Sequence, residues 1–488
     1  IFFRMSMEGL EPRNGIGYDI ADNGSEHSMS LRNGSGYGVV GSYGTRHMRS
    51  LTAGSLDPGA LRDDLRESSC LLIKPSKVGS ASIMSCSINL CNTILGAGIL
   101  GLPHAFAECG IVLGLSLFAF AGILSATGLH LLSACARAVP DGSFNVMADL
   151  TVPTLKVLAD LAVALKCFGV GTSYLIVIGD VMPDACRTLF CSDDNPHCAL
   201  DFPLSLLTDR RLWILVFSVT CVAGLVCFKK LDALRATSAL SLMMMVYVCC
   251  MIVAYAWIPQ LDPCAGMGDD CKGDIYITPP HNPFAILKVI PIFIFGYTCH
   301  QNTFTLVNEL KRPTQSRCDT FIILAVSTCC LFYFVVAFSG YHTYGSNVAK
   351  DIIAAYPNTK FLAVGRIGLA FNMAFSYPLQ CHPCRNSVSV LVTGEPAQYL
   401  DDRVFYTITF CILVLSVGIS MAVHDLGLVL GLVGATGSTT ISYILPGLFY
   451  TQYFEEWHFM KGMAYAMVVM GAIMMPVMVT LCFMGGGE

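Results

Sequence analysis

Charged residues are scarce in this sequence of 488 residues. Asp, Glu, Lys and Arg make up 13% of the chain, whereas hydrophobic residues make up 54%. A soluble domain carries about a quarter charged residues, so the composition excludes a soluble globular protein and predicts a polytopic membrane protein embedded in the lipid bilayer. No basic run of the kind that follows a phosphate backbone occurs, and we expect no nucleic-acid partner.

The sequence also lacks the residue groups that catalyse reactions or hold a structural metal. Most of its 23 cysteines fall inside apolar runs, where Cys behaves as a small hydrophobe. The run Cys381-His382-Pro383-Cys384 has no second pair of ligands, which zinc would require. No His, Cys or carboxylate group has catalytic spacing, and no selectivity-filter repeat occurs. We therefore expect neither an enzyme nor a channel, and no cofactor.

Large apolar residues are few over residues 1–78, which are rich in Gly, Ser, Arg and Asp and are predicted to form a disordered tail. About eleven apolar segments follow, each near the roughly 20 residues that a spanning helix needs. Because lipid offers the backbone no hydrogen-bond partner, these segments must be helical. They lie near residues 81–109, 111–138, 157–187, 212–228, 236–258, 282–306, 318–341, 361–384, 403–423, 426–449 and 462–484.

Basic residues in short loops set the predicted orientation. The loops after segments four, six and eight share one side of the membrane and carry Lys229, Lys230, Arg235, Lys311, Arg312, Arg317, Arg385 and Arg403. Positive loops favour the cytoplasm, so the amino terminus and the tail are predicted to be cytosolic. Two arginines on the opposite face, Arg210 and Arg211, weaken this pattern.

Four cysteines lie in polar loops on the predicted oxidising side. Cys191 and Cys198 follow segment three, and Cys264 and Cys271 follow segment five. A disulfide between the two loops is our hypothesis, because disulfides form in oxidising compartments. The alternatives are free thiols and local pairing within each loop.

The first apolar segment contains residues that weaken a helix. The stretch SINLCNTILGAGILGLPHAF, residues 87–106, holds two Asn residues and the run Gly96-Ala97-Gly98, with another Gly and a Pro beyond it. Unwound backbone in a membrane is tolerated only where it lines a cavity or meets a ligand. Freed N–H groups suit a carboxylate, and freed carbonyls suit a cation. The stretch predicts an amino-acid and ion site, with close helix packing through small residues as the alternative.

A second interrupted helix is predicted five segments later. The stretch PIFIFGYTCHQNTFTLVNELKRP places a glycine and a run of polar residues directly after an apolar run. Interruptions at matching places in two halves are typical of a transporter binding site. The pattern predicts a transporter core over residues 79–450, built from two inverted repeats near residues 81–258 and 282–450, and then a loop and an eleventh helix over residues 451–488.

Seven stretches carry a resemblance to one family of membrane proteins. They run from residue 92 to residue 450 and are NTILGAGILGLPHAF, SYLIVIGDVMP, KKLDALRATSALSL, FGYTCHQNTFTLVNELKRP, GYHTYGSNVAKDII, FSYPLQCHPCR and GLVGATGSTTISYILPGLFY. The chain resembles the amino acid/auxin permease family, nearest its sodium-coupled neutral amino-acid transporter and vacuolar amino-acid transporter branches. The resemblance implies an all-α, LeuT-type fold with discontinuous helices one and six, and secondary active transport of amino acids.

The resemblance also implies which residues bind the substrate. In the family, amides of the unwound first helix hold the carboxylate, and carbonyls of the sixth-helix interruption meet the amino group. Two side chains after that interruption shape the pocket. The residues implied are Ala97, Gly98, Ile99, Phe295, Gly296, Tyr297 and Thr298.

A coupling-ion site follows from the same resemblance. In the sodium-coupled branch, an amide on the first helix and a hydroxyl on the eighth hold the ion, and Asn92 and Ser376 match these two positions. Carbonyls near Ile94 and Gly96 could complete the shell. Sodium is therefore predicted at Asn92 and Ser376. The stretch FSYPLQCHPCR resembles proton-driven vacuolar members more closely, so a proton is the alternative coupling ion.

Ionisable residues inside a membrane are costly and usually functional. Lys166, Asp180 and Asp184 lie on the third segment, and His300 lies beside the sixth-helix interruption. Asp180 belongs to the family's IGD pattern, and a histidine can titrate near physiological pH, so these two are the candidates for proton coupling. The alternatives are a structural ion pair for Asp180 and a hydrogen bond within the bundle for His300.

The sequence thus predicts an amino-acid carrier that works by alternating access under a sodium or proton gradient. The lack of an acidic residue near the interruptions favours neutral substrates. The alternative is a sensor that binds an amino acid and signals through the tail with little transport. The predicted location is a vacuolar, lysosomal or plasma membrane, and no protein partner is indicated.

Overall fold

The described part of the chain is helical. The computed structural model describes residues 79–139, 141–190, 204–265, 271–279, 283–423 and 426–484, so the predicted tail over residues 1–78 lies outside the described residues. Within these ranges the only β pairing is an isolated bridge between Ala81 and Leu310. The predicted all-α class is confirmed.

The membrane region is built from helices of very different length. They are α1 (Ile83–Ile94), α2 (Leu102–Ala138), α3 (Phe144–Thr151), α4 (Lys156–Phe190), α5 (Arg210–Phe217), α6 (Arg235–Trp257), α7 (Pro283–Gly296), α8 (Thr303–Glu309), α9 (Gln315–Tyr344), α10 (Lys360–Thr393), α11 (Asp402–Ala422), α12 (Leu426–Val433), α13 (Leu445–Tyr453) and α14 (Phe459–Met484). A π-helical turn follows α5, and two π-helical turns, Gly434–Ser438 and Thr440–Ile444, join α12 to α13.

Among the described residues, eight helical runs are long and apolar enough to cross a membrane, which makes the chain a multi-pass membrane protein. They are Ala97–Ala138, Pro153–Phe190, Asp232–Trp257, Phe284–Glu309, Gln315–Asn347, Asp402–Ala422, Val429–Tyr453 and Phe459–Cys482. Eight runs rather than eleven meet the criteria of length and hydropathy for three reasons. Predicted segments one and two join in one run, and segment four is helical only over residues 210–225. The middle of α10 carries polar side chains that lower its mean hydropathy, among them Asn372, Gln380 and His382.

The run Ala97–Ala138 is bent at Gly110. The φ angle of Gly110 is 72°, which a residue with a Cβ rarely adopts. A Cβ on Gly110 would also lie 2.6 Å from the carbonyl oxygen of Thr278. The loop after α6 reaches the bend here, since the amide of Ile111 donates to the carbonyl of Tyr276 at 3.1 Å. The bend falls between the first two predicted segments.

Side-chain caps determine where the helices around the site begin. Ser82 precedes α1 and accepts a hydrogen bond from the amide of Ser85. Thr359 precedes α10 and accepts one from the amide of Leu362. A cap of this kind contributes about 1 kcal/mol to the stability of the helix, because it satisfies an amide that has no partner within the helix.

The interior of the described chain is organised around α4 and α10, which make its most extensive helix–helix contact. α10 also packs on α6, and α9 packs on α1 and α2. Small residues permit the close approach: a Cβ on Gly171 of α4 would lie 3.1 Å from the ring of Tyr377 on α10. This packing surrounds α1 with α6, α9 and α10.

The pairing of two cysteines differs from the sequence-based hypothesis. Cys264 and Cys271 are bonded to each other, with their Cα atoms 5.4 Å apart. Both lie in the loop after α6, so the hypothesis of a bridge between two loops is wrong for this pair. They are 7 positions apart, and closing so short a loop costs less chain entropy than joining two loops. Cys191 and Cys198 lie outside the described residues.

Candidate substrate and ion site

The first span is interrupted where the sequence predicted. α1 ends at Ile94, Leu95 and Gly96 leave the helical conformation, and a short 3-10 helix over Ala97–Gly101 leads into α2. The amide of Gly96 donates to the carbonyl of Ile94, only two residues back, at 2.8 Å. The chain therefore turns out of the helix, and the first amides of the short helix have no partner within it.

The sixth predicted segment is interrupted as well. α7 ends at Gly296, and α8 begins at Thr303 after a short 3-10 helix over His300–Asn302. Between them, the carbonyl of Tyr297 accepts a hydrogen bond from the hydroxyl of Ser125 on α2 at 2.9 Å. This carbonyl is thus bonded across the bundle rather than along its own helix. Both predicted interruptions are confirmed.

The two interruptions meet in the interior. The hydroxyl of Tyr333 on α9 is hydrogen-bonded to the carbonyl oxygens of both Ile94 and Gly296, the second at 2.8 Å. A Cβ on Gly98 would lie 3.0 Å from the ring of Phe295 and 3.4 Å from the Cα of Gly296. Backbone therefore approaches backbone here, and a single tyrosine side chain joins the two spans.

The structure brings all seven residues predicted to bind substrate to this meeting point, where their side chains are buried. The ring of Tyr297 packs against Phe118 and Tyr333, with centroid distances of 5.3 and 5.6 Å. The hydroxyl of Thr298 donates to the carbonyl of Ile294 at 2.7 Å. Contact of these residues with a substrate stays a prediction.

Tyr174 of α4 contacts the first interruption and was not predicted. A Cβ on Gly96 would lie 2.5 Å from the Tyr174 hydroxyl oxygen, so only glycine allows this approach. Gln380 of α10 donates its Nε2 to the same hydroxyl at 3.4 Å. A tyrosine in an apolar run usually packs in the core, and its place in the SYLIVIGDVMP stretch was the one signal that could have identified it.

The structure also brings together the two side chains predicted to hold a coupling ion. The Oδ1 atom of Asn92 accepts hydrogen bonds from Ser376 at 2.8 Å and from Ser241 at 2.7 Å. The predicted backbone ligands are engaged elsewhere, since the carbonyl of Ile94 accepts from Tyr333 and that of Gly96 accepts from the amide of Ile99 at 3.3 Å.

Two members of this cluster, Ser241 on α6 and Asn372 on α10, were missed by the sequence reasoning. Asn372 donates its Nδ2 to the carbonyl and hydroxyl oxygens of Ser241 at 3.0 and 2.9 Å. Its Oδ1 atom is buried and has no hydrogen-bond partner within the described residues. The cluster is entirely neutral and rich in oxygen, which suits a monovalent cation. Neither residue interrupts a helix or carries charge, so no local pattern marks it.

The two candidates for proton coupling have structural partners. The Nε2 atom of His300 lies 3.2 Å from the carbonyl oxygen of Ser125. Asp180 lies near the end of α4, with its side chain 42% exposed, and accepts a hydrogen bond from Arg210 at 2.7 Å. These contacts match the structural alternatives considered for both residues, and their roles in coupling stay predictions.

Two interrupted spans that meet around buried, non-helical backbone define the class of membrane carriers, because such backbone lies within a membrane only against protein, a cavity or a ligand. A family model described as "Transmembrane amino acid transporter protein" matches residues 79–486. The chain belongs to this family of transporters and is not an enzyme. The family predicted from the seven stretches is confirmed.

Known relatives and a solved structure agree with this assignment. The chain is 40% identical over 377 residues to vacuolar amino acid transporter 5 of Schizosaccharomyces pombe, covering 76% of this chain and 85% of the relative. It is 25% identical over 445 residues to sodium-coupled neutral amino acid transporter 7 of Danio rerio, covering 88% and 89%. The crystal structure of MhsT in complex with L-phenylalanine matches with a TM-score of 0.59 at 10% identity, covering 83% of this chain and 100% of that chain. This last likeness shows the fold alone.

Proposed function

We propose that this protein carries neutral amino acids across a membrane by alternating access, driven by a sodium or proton gradient. Family membership supports amino-acid transport. The observation that carries the proposal is the Tyr333 hydroxyl, which joins the non-helical carbonyls of Ile94 and Gly296. It puts both interruptions at one point, as in carriers that hold their substrate near the bilayer midplane.

In this proposal the chain crosses the membrane eleven times, with its amino terminus in the cytosol. The bend at Gly110 separates the first two crossings. The helices α5 and α10 each form one crossing, despite the short length of α5 and the polar side chains of α10. Two inverted repeats of five crossings lie near residues 81–258 and 282–450, and α14 is the eleventh crossing. The fold likeness to the MhsT structure supports this arrangement.

The substrate is a zwitterion that is hydrogen-bonded to peptide groups of the two interruptions. Its carboxylate accepts hydrogen bonds from the amides around Ala97, Gly98 and Ile99, at the positive end of a short helix. Its amino group donates to carbonyls near Phe295 and Gly296. The rings and hydroxyls that follow this second interruption surround the side chain of the substrate.

The coupling ion shares the first span with the substrate. Asn92 belongs to the ion cluster, and its helix ends two residues later at Ile94, where the substrate segment starts. Ordering of α1 by either ligand lowers the ordering cost for the other, which is a coupling free energy between the two sites. Sodium would be held by the oxygens of Asn92, Ser376, Ser241 and Asn372.

Two relatives guide the choice of substrate and membrane. The Danio rerio relative is named for sodium-coupled neutral amino acids, and the substrate-side residues of this chain include no acid. The Schizosaccharomyces pombe relative is named for the vacuole. We therefore assign the protein to neutral amino acids and to a vacuolar membrane.

The test is uptake of radiolabelled amino acids into proteoliposomes that contain the purified full chain. Sodium and proton gradients are imposed separately, and a panel of neutral, acidic and basic amino acids competes with the label. We expect gradient-driven accumulation that neutral amino acids inhibit. Uptake that ignores both gradients would overturn the coupled mechanism, and tight binding without flux would identify a sensor instead.

A further inference from the structure

Lys166 of α4 is a buried cation with few neighbouring groups that stabilise its charge. Its side chain is 1% exposed, and its Nζ atom donates a hydrogen bond to the Oε1 atom of Gln380 at 3.3 Å. None of the ion pairs within the described residues includes it. The titratable groups that face it are Cys167 on its own helix and Cys299 and His300 in the sixth-span interruption. None of these groups is a carboxylate.

A second buried lysine shows what such a charge normally requires. Lys461 donates to the carbonyl oxygens of Phe454 and Glu455 at 2.7 and 2.9 Å. A buried ammonium loses several kcal/mol of solvation, which partners of this kind must replace. The one amide oxygen beside Lys166 replaces only part of this lost solvation free energy. The protonation state of this amine is therefore sensitive to small changes in its surroundings.

Gln380 connects Lys166 to both interrupted spans. Its Oε1 atom accepts hydrogen bonds from Lys166 and, at 3.1 Å, from Gln301 in the sixth-span interruption. Its Nε2 atom donates to the hydroxyl of Tyr174, which lies against Gly96 in the first-span interruption. Two side chains, Gln380 and Tyr174, thus connect the amine to the backbone of the first-span interruption, which is proposed to hold the substrate carboxylate.

A cavity large enough for water adjoins this group of side chains. A cavity of about 30 Å³ is lined by Gln301 together with Asp160, Asn386 and Ser387. This volume holds a water molecule, since roughly 10–15 Å³ is enough and the walls offer several polar partners. Gln301 is therefore both a wall of the cavity and a neighbour of Gln380.

We propose that Lys166 carries the coupling proton, an assignment that rests on the proposed amino-acid transport. Its amine takes one proton from water on one side of the membrane and returns it to water on the other, and no other bond forms or breaks. The sequence-based candidates fit this role less well, because His300 is bonded to the backbone of α2 and Asp180 pairs with Arg210.

The orientation of Gln380 couples the proton to the substrate, because its amide has one acceptor end and one donor end. The ammonium of Lys166 donates to Oε1, Nε2 donates to Tyr174, and the Tyr174 hydroxyl hydrogen is left for a carboxylate near Gly96. A neutral amine instead accepts from Nε2, so the amide of Gln380 turns over and its Oε1 takes that hydrogen. The amide of Gln301 turns with it, because its Oε1 atom, which has no other partner within the described residues, then accepts from Nε2 of Gln380. Proton binding and carboxylate binding therefore favour each other.

The test uses the full chain in proteoliposomes, with a labelled neutral amino acid and a pH-sensitive dye inside. The wild type should accumulate amino acid under a proton gradient and move protons with it. Lys166→Met should still exchange internal for external amino acid, but should lose gradient-driven accumulation and proton movement. Lys166→Arg, whose guanidinium stays charged, should lose accumulation in the same way.

Lys461→Met is the matched control, because it removes a buried lysine whose backbone partners, the carbonyls of Phe454 and Glu455, belong to neither interruption. It should keep the wild-type ratio of protons to amino acids. Accumulation driven by protons in Lys166→Met would overturn the assignment, as would wild-type uptake driven by sodium alone, and both results leave amino-acid transport standing. Absence of exchange in the wild type would overturn the proposed function and this assignment together.

A binding measurement keeps the assignment testable if the variants do not fold. Calorimetry of amino-acid binding to the purified wild type, in buffers of different ionisation enthalpy, counts the protons taken up. Proton uptake on binding supports the assignment. Binding without proton uptake overturns it.

Discussion

Asn92 is the residue that joins the ion cluster to the first span. Asn92→Ala removes the oxygen that accepts hydrogen bonds from Ser241 and Ser376. We expect the ion concentration for half-maximal uptake to rise about tenfold or more, a change of about 1.4 kcal/mol. The measurement is uptake as a function of sodium and of proton concentration.

Asn89, almost one helical turn earlier, is the matched control for Asn92. Its Nδ2 atom donates to the carbonyl of Leu231 at 3.1 Å, and it takes no part in the ion cluster. Asn89→Ala should lower the free energy of unfolding by about 1–3 kcal/mol, because it leaves a buried carbonyl without its donor, while ion dependence stays as in the wild type. Unchanged ion dependence in Asn92→Ala would remove that residue from the site.

Gly98 provides a second prediction at the scale of single residues. In Gly98→Ala the new methyl group would press on the ring of Phe295 at 3.0 Å and on the Cα of Gly296, so the two interruptions must move apart. We expect a substantial loss of substrate affinity, read as a higher KM for uptake. Gly224→Ala, where nothing lies within 4 Å of the new Cβ, should transport as the wild type does. Equal KM values in the two variants would contradict this reading of Gly98.

At the scale of helices, α9 is the element that holds the two interrupted spans in register. Tyr333→Phe removes the hydroxyl shared by the carbonyls of Ile94 and Gly296. Leaving buried carbonyls without a donor costs about 1–3 kcal/mol, so we expect lower thermal stability together with a lower maximal rate of uptake.

Tyr247→Phe is the control at this scale, because that hydroxyl bonds the backbone of Phe361 at 3.3 Å on the exposed side of α6. Removing it should change neither thermal stability nor uptake appreciably. If Tyr333→Phe behaved in the same way, the shared hydroxyl would not be what joins the two spans.

At the scale of the whole molecule, Glu309 joins three distant parts of the chain. The carboxylate of Glu309 accepts from the amides of Leu231 and Asp232 at 3.0 and 2.8 Å, and its carbonyl accepts from the amide of Ala81 at 2.8 Å. Glu309→Gln replaces one acceptor oxygen by a donor and weakens the other. We expect faster hydrogen–deuterium exchange in all three segments, measured by mass spectrometry.

The surface pair of Lys229 and Asp402 supplies the control for Glu309. These groups are 2.6 Å apart, but both side chains are largely exposed, and such pairs contribute only about 0–1 kcal/mol. Asp402→Asn should therefore leave the exchange of the same segments unchanged. Exchange in Glu309→Gln as slow as in the wild type would show that these contacts do not hold the three segments together.

Asp351 lies in the loop between α9 and α10, outside the spans, and makes the stability of the protein depend on pH. Burial raises the pKa of Asp351 above its ordinary value, against the opposing hydrogen bond from the amide of Ile353. The folded protein thus holds this proton more tightly than the unfolded chain does. The resulting stability is present below about pH 4, where both states are protonated, and is lost as pH rises through the folded pKa.

Asp351→Asn should abolish this contribution, since the amide keeps the shape of the side chain and does not titrate. As the pH rises from about 4 to 7, the melting temperature of the wild type should fall relative to that of the variant. Melting curves recorded at several pH values measure this difference. Parallel melting temperatures across the range would show that the Asp351 carboxyl keeps its ordinary pKa.

The sequence by itself determined that the chain is an all-helical, multi-pass membrane protein and where two of its spans are interrupted. Apolar length and the weakening of a helix by glycine are local properties of the chain, so the interruptions at Gly96 and Gly296 could be predicted within a residue or two. The family and its transport activity could also be predicted, since the seven stretches are contiguous runs of sequence. Asn92 and Ser376, 284 positions apart, could be paired through that resemblance.

Only the tertiary structure decided which side chains meet at these interruptions. Tyr174, Ser241, Asn372 and Gln380 reach them from helices whose rotation about their own axes is set by packing against distant neighbours, and no local pattern encodes that rotation. The same holds for Lys166, which the sequence marks as a charge in a span. Its lack of a carboxylate partner depends on the helices that surround it.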